Sequence, residues 1–329
     1  MQGGKVFIMI NQSRAVWGAT AGGQRRHVLA LPFGHGAGRQ GCAKGPDALM
    51  AAGLCAALDP CGGSIETLAL PWDQPAHRLA HPNPALKSLA LVRAATQAIN
   101  QRAFEISADS CPVFVGGDHA IAAGTLPAMA RRAKALGRPL FVLWLDAHPD
   151  FHTLDTTGSG NLHGVPLAYA TGQQGFAGYF PALDVPVDPS RLCMLGIRSV
   201  DEAESRLLAH SAVTVHRMEA IRSGGVDGLI KPFLERVRRA NGLLHVSFDA
   251  DCLDPALAPA VGTPVQDGLT LVQAELLMDR LGASGLVSSL DLVEFNPDLD
   301  EQGRTARLLV DLIARLFAPA GTEFRVEAA

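Results

Sequence analysis

Residues 140–153 read LFVLWLDAHPDFHT. The first six positions are all apolar. A strand with one solvated face alternates apolar and polar residues, whereas a strand covered on both faces, as in a parallel sheet, reads as a continuous apolar run. Asp146, His148, Asp150 and His152 then follow at alternate positions. Where a strand leaves the core, such carboxylates and imidazoles cost desolvation free energy unless something binds them. The carboxyl ends of strands in an open parallel sheet form its ligand-binding edge. This stretch therefore predicts an α/β sheet with a binding site at that edge.

The rest of the chain has the same pattern. Strands are expected at 27–33, 65–70, 112–116, 140–146, 191–196, 212–216, 243–249 and 286–293, several of them continuous apolar runs. Between them, apolar spacings of three and four predict helices over 84–104, 119–135, 201–210, 225–240, 270–282 and 303–317. Strands alternating with helices predict a three-layer αβα sandwich around an open, mostly parallel sheet of about eight strands, with a closed (β/α)8 barrel as the alternative. No repeat or low-complexity linker divides the chain, so residues 27–329 are expected to form a single domain. Residues 1–26, punctuated by WGATAGGQRR, read as an N-terminal extension.

Bulk composition narrows the function. In 329 residues, 48% hydrophobic content and a mean hydropathy of +0.16 supply ample core material. The net charge of −4 and the absence of basic runs give no reason to expect nucleic acid or an anionic membrane as partner. Six cysteines without a CxxC pair are no disulfide framework and favour a reducing cytoplasm. The early apolar run VFIMI is too short for a signal peptide, and no uncharged apolar stretch reaches membrane-spanning length. A soluble cytoplasmic protein is expected.

Three segments that follow strands carry the chemistry: PVFVGGDHA (112–120), LFVLWLDAHPD (140–150) and LLHVSFDADCLDP (243–255). In extended chain, residues two apart point the same way. Asp146, His148 and Asp150 would then form one comb of ligands and Asp249 with Asp251 a second, with His119 arriving from a third strand. Four carboxylates and two imidazoles exceed the needs of one small cation, and two divalent ions with shared carboxylates fit better. Oxygen with some nitrogen and no thiolate suits Mn²⁺. Such an anionic centre would welcome a cationic substrate. Each piece alone has a plainer reading: DAHPD as a solvated loop, GGDH as a turn with a helix cap, and Asp251 as a turn former. Their convergence from three strand ends argues against coincidence. Gly36, Gly38 and Gly41 also spell GxGxxG before a helix opening near Pro46. The acidic residue that would confirm dinucleotide binding belongs at the end of the next strand, and Glu66 stands at its beginning. Tight backbone passage beside the metal cleft is the preferred reading.

VGGDHA, DAHPDFHT with TTGSGNLHG, and SFDADCLDPALAPAVGTP resemble the signature segments of the arginase-like ureohydrolases, the binuclear manganese amidinohydrolases. PFGHGAGRQGCAKGPDAL, LGIRSVDEAE and SSLDLVEFNP extend the likeness over residues 28–317. The resemblance implies two Mn²⁺ per chain. His119, Asp146, Asp150 and Asp249 would hold one ion, and His148, Asp146, Asp249 and Asp251 the other, with Asp146 and Asp249 bridging. Asp150 would also orient the attacking hydroxide, His163 would shuttle a proton, and Glu294 would pair with the guanidinium. Elementary chemistry agrees with these roles. A guanidinium carbon is a poor electrophile, so its hydrolysis needs hydroxide, and metals provide that at neutral pH. A carboxylate suits bidentate placement of the planar cation, and a histidine can relay a proton to the leaving amine.

The resemblance is widest to the arginine-cleaving members, which implies a small guanidino substrate and products urea and ornithine. Thr157, Ser159, Asn161, Asp201, Glu204 and Thr263 match positions that read the amino-acid end of arginine. Two positions depart from the family pattern: His152 replaces an asparagine that contacts the α-carboxylate, and Ser199 replaces an aspartate. Agmatine or a guanidino acid such as 4-guanidinobutyrate is therefore the alternative substrate. A non-catalytic binding homologue would have lost a metal ligand, and a zinc deacetylase would use one Asp-His-Asp set. The resemblance also implies a homo-oligomer, a trimer or hexamer.

Overall fold

The computed structural model describes residues 25–58, 63–70 and 79–318. The proposed N-terminal extension lies, apart from its last two residues, outside the described residues. Among the described residues, eight strands appear: β1 (Arg26–Leu31), β2 (Ser64–Thr67), β3 (Cys111–Gly116), β4 (Leu140–Leu145), β5 (Leu192–Ile197), β6 (Thr214–Arg217), β7 (Leu243–Asp249) and β8 (Val287–Val293). All pair in parallel, in the order β2-β1-β3-β8-β7-β4-β5-β6. β2 and β6 are the edges, so the sheet is open and the barrel alternative is excluded.

Helices cover both faces: α1 (Gly45–Ala51), α2 (Leu54–Leu58), α3 (Leu89–Ile106), α4 (Ala122–Ala135), α5 (Pro166–Ala170), α6 (Glu202–Ala209), α7 (Met218–Arg239), α8 (Leu271–Ser284) and α9 (Arg304–Phe317). The continuous apolar strands explain the layering. In β4, Leu143 and Leu145 pack into the core shared with α7, α8 and α9, while Val142 and Trp144 pack into the opposite core with α3, α4 and α5.

Most helix boundaries follow local chemistry. The side chain of Asp201 caps α6 by accepting from Glu204 N, and Thr270 with Gln273 forms a capping box on α8. The helix expected from residue 84 begins only at Leu89. Residues before it are drawn into a turn in which Ala85 N donates to the Asn83 side chain and Lys87 N to Gly160 O. The helix expected from residue 225 starts earlier, at Met218, with a break where Gly225 leaves helical geometry (φ 70°, ψ 162°). α2 and α5 are single short turns whose apolar spacing is too brief to read.

One close approach fixes the site's position. Gly117 follows β3, and a Cβ there would lie 1.8 Å from Phe33 O. Gly117→Ala is therefore expected to destabilise the fold by ~1–3 kcal/mol, measured as a fall in the urea unfolding midpoint. An unchanged midpoint would show that this backbone contact yields freely.

Candidate metal centre

The candidate site side chains gather at the carboxyl ends of the four central strands, β3, β8, β7 and β4. His119 opens a short turn after β3, Asp146, His148 and Asp150 follow β4, Asp249 ends β7 and Glu294 follows β8. The predicted ligands do converge, although the alternation invoked for them fails. β4 ends at Leu145, and Asp146–Asp150 runs through a bend to a left-handed Asp150 (φ 49°). Asp251 lies inside a 3-10 turn that Asp249 caps, its N–H donating to Asp249 Oδ1 at 2.7 Å. A bend and a capped turn, rather than two extended combs, aim the side chains.

Two donor sets result. His119 Nδ1 lies 3.1 Å from Asp146 Oδ2, 3.0 Å from Asp249 Oδ2 and 3.3 Å from Asp150 Oδ2. His148 Nδ1 lies 3.1 Å from Asp251 Oδ2 and 3.4 Å from Asp146 Oδ1. Asp146 thus offers one oxygen to each set, the arrangement of a bridging carboxylate. Asp249 sits in the first set with His119 and Asp146.

The cluster fits a pair of divalent cations. His119 Nδ1 and Asp146 Oδ2 are buried without a hydrogen-bond partner, which is costly unless a cation satisfies them. Burial and the neighbouring carboxylates, Asp146 for Asp150 and Asp251 for Asp249, push Asp150 and Asp249 well above the usual carboxylate range. Burial opposes the charged forms of His119 and His148, yet the surrounding carboxylates raise them to about 9 and about 12. Self-repelling carboxylates held together by protein are what a cation stabilises.

Support beneath the ligands was not anticipated from the sequence. His119 stacks on Trp144 at 3.9 Å between ring centroids and 3° between planes. Its Nε2 is 2.9 Å from Ser247 Oγ, which donates to Asp291 Oδ2. Thr125 Oγ1 donates to the same oxygen, and His245 Nε2 lies 3.1 Å from it. This buried set orients the histidine so that Nδ1 faces the carboxylates. Just past the end of β5, the Arg198 guanidinium donates to the backbone carbonyls of Asp251, Leu253 and Val265, tying down the loop that carries Asp251. The GxGxxG segment is also accounted for. Gly36 N and Ala37 N donate to Asp118 Oδ2, and a Cβ on Gly36 would lie 2.5 Å from the Ala120 side chain. The amides that would cradle a phosphate already hold a carboxylate.

A cleft of about 210 Å³ runs beside the centre, lined by His148, Asp150, Asp249 and Asp251 together with His152, His163, Gly164, Ser199, Asp201, Glu204 and Thr263. Thr263 Oγ1 donates to Asp251 Oδ2. Glu294 is 1% exposed, with left-handed backbone (φ 63°). Its Oε1 accepts from His119 N and lies 2.8 Å from His163 Nδ1, and Cys42 Sγ approaches Oε2 at 3.6 Å. Burial opposes charge on both partners. Each nevertheless favours the other's charged form, which raises His163 above the usual histidine range and lowers Glu294 below the carboxylate range. Thr157, Ser159 and Asn161 form the loop before His163: Thr157 Oγ1 and Ser159 Oγ are 3.4 Å apart, and Asn161 Oδ1 accepts from Lys87 Nζ.

Known proteins have the same arrangement of chain. The chain is 54% identical over 289 residues to the arginase of Brucella melitensis, covering 88% of this chain and 94% of that one. It is 50% identical over 294 residues to the arginase of Agrobacterium fabrum, covering 88% and 90% respectively. Among solved structures, the native arginase of Bacillus caldovelox superposes with a TM-score of 0.80 at 30% identity, over 91% of this chain and all of that one. The arginase family profile matches residues 24–318, and the chain belongs to the arginase family.

Proposed function

We propose that the protein is a manganese-dependent arginase that hydrolyses L-arginine to urea and ornithine. The observation that carries this reading is the pair of donor sets sharing Asp146, with the His163–Glu294 pair beside them. His119, Asp146, Asp150 and Asp249 would hold one cation, and His148, Asp146, Asp249 and Asp251 the other. When bound, the cations acidify water so that hydroxide is accessible near neutral pH. The chain's own groups supply the rest. Glu294 places the guanidinium, and its buried setting strengthens the pairing. Asp150 accepts a hydrogen bond from the attacking oxygen. His163 holds a proton 2.8 Å from Glu294 and passes it to the departing amine. Asp201 and Glu204 meet the α-ammonium, and Thr157, Ser159 and Asn161 the α-carboxylate, with Thr263 steadying Asp251.

Mixed nitrogen and oxygen donors without thiolate support manganese. No helix among the described residues is long and apolar enough to cross a membrane. Buried free thiols at Cys42, Cys111, Cys193 and Cys252 fit a reducing cytoplasm. The resemblance to arginases supports a homo-oligomer, and the continuous sheet supports one domain from residue 27 onward.

Agmatine retains the amine of arginine and lacks its carboxylate. Hydrogen bonds to a charged group contribute ~1.5–3 kcal/mol each. Losing the contacts proposed here for Ser159 and Asn161, which lie in the loop before His163 outside the lining of the cleft, is expected to favour arginine over agmatine by about 10² or more in kcat/KM. Urea release from arginine, agmatine and 4-guanidinobutyrate in competition tests this. If either of the latter two is faster, arginine is not the substrate and only the amidinohydrolase class survives.

A further inference from the structure

His152 lies in the cleft but belongs to neither donor set around Asp146. Its Nε2 is 3.1 Å from Asp201 Oδ2 and 3.7 Å from Glu204 Oε2, and its Nδ1 is 3.2 Å from Thr156 Oγ1. The Thr156 contact steers the ring so that Nε2 faces the two acids. Neither acid can easily turn away. Asp201 Oδ1 caps α6 by accepting from Glu204 N at 2.9 Å, and Glu204 Oε1 accepts from Phe151 N at 3.1 Å. Glu204 is only 6% exposed, so its remaining oxygen has little water to turn to. A nitrogen donor therefore already stands at the carboxylates that the function proposed above gives to the substrate's α-ammonium.

We infer that His152 is a specificity-determining residue that stands in for the substrate's α-ammonium at Asp201 and Glu204, so that the site accepts guanidino acids lacking an α-amino group. The inference rests on the arginase reading. The physical reason is the cost of leaving the buried Glu204 carboxylate without a facing donor, whereas Asp201, with 56% of its side chain exposed, is also met by water. Without His152, a substrate with no α-amino group would leave Glu204 Oε2 with no nitrogen donor facing it. With His152 in place Glu204 keeps one, 3.7 Å away, until a substrate ammonium displaces it. The same contact works against arginine, whose ammonium must displace or share the imidazole. His152 thus narrows the gap between arginine and its des-amino analogue from both sides. An asparagine at this position ends short of Asp201 and would not hold the acids in the same way.

The test compares L-arginine with 5-guanidinopentanoate, which differs only by the α-amino group, in the manganese-loaded wild type, His152→Asn, Asp201→Asn and the double variant. His152→Asn is expected to lower KM for arginine, to lower kcat/KM for 5-guanidinopentanoate, and to widen the ratio between them by roughly tenfold or more, equivalent to ~1.4 kcal/mol. In the Asp201→Asn background the same replacement should move the ratio by less than about threefold, because the partner is gone. Calorimetric dissociation constants for L-ornithine and 5-aminopentanoate read the same discrimination without turnover and should shift in parallel. A ratio that stays within twofold of wild type in His152→Asn, or narrows, overturns the role of His152. Failure of the wild type to release urea from arginine would instead overturn the arginase reading, and the two product analogues would still decide the role of His152.

Discussion

Asp249→Asn is expected to abolish urea release and to leave well under two metal ions per chain. Asp249 Oδ2 faces His119 Nδ1 at 3.0 Å while its Oδ1 accepts from Asp251 N at 2.7 Å. Asparagine keeps the shape and the second contact, so the turn carrying Asp251 is retained. It puts a neutral group where a cation needs charge, and it does so where Asp146 and Asp249 would hold both ions together. Loss of one bridging carboxylate therefore weakens two sites at once. Elemental analysis and urea assay, with circular dichroism to show an intact fold, check the result. Wild type carrying one zinc and remaining inactive with manganese would sink the binuclear reading.

His163→Asn is expected to lower turnover by roughly 10²–10⁴, the usual contribution of one positioned general acid, with metal content intact. His163 contacts Glu294 and stands outside both donor sets, so the variant separates proton transfer from metal binding. Its backbone N–H donates to Gly36 O, a contact the substitution leaves in place. If turnover stays at the wild-type rate, His163 is a structural partner of Glu294 and another group delivers the proton.

The sequence made the strands legible for a physical reason. In β4 and β3, burial on both faces removes the polar positions that would otherwise blur the pattern, and every expected strand forms within a few residues of its predicted bounds. The candidate ligands stood out because Asp and His are costly to bury at strand ends unless a cation or a donor satisfies them. Their geometry was not. Alternation was the only rule available at residues 146–150, and left-handed backbone at Asp150 replaces it. The support beneath His119 was visible in principle. His245, Ser247 and Asp249 recur every second residue in a strand otherwise apolar, and Ser289 and Asp291 keep the same spacing in β8. A polar stripe inside a doubly covered strand implies a buried network, because each of its groups needs a partner away from water. Trp144 and Arg198 act through tertiary contacts that one-dimensional spacing does not encode.

The strand order has a consequence for how the protein is made. β8, the last strand along the described residues, lies between β3 and β7 and is bonded to both. On the ribosome, β1 to β3 and β4 to β7 therefore emerge as two half-sheets with no strand joining them. His119 belongs to the first half, and the aspartates with His148 belong to the second. Glu294 arrives only with the joining strand itself. A nascent chain that stops short of β8 has His119 on a separate piece from the aspartates it would join, and so lacks the first donor set. Completion of the candidate centre is thus coupled to completion of translation: the donor set of Asp146, His148 and Asp251 lies wholly in the later half, while the set with His119 needs both halves brought together.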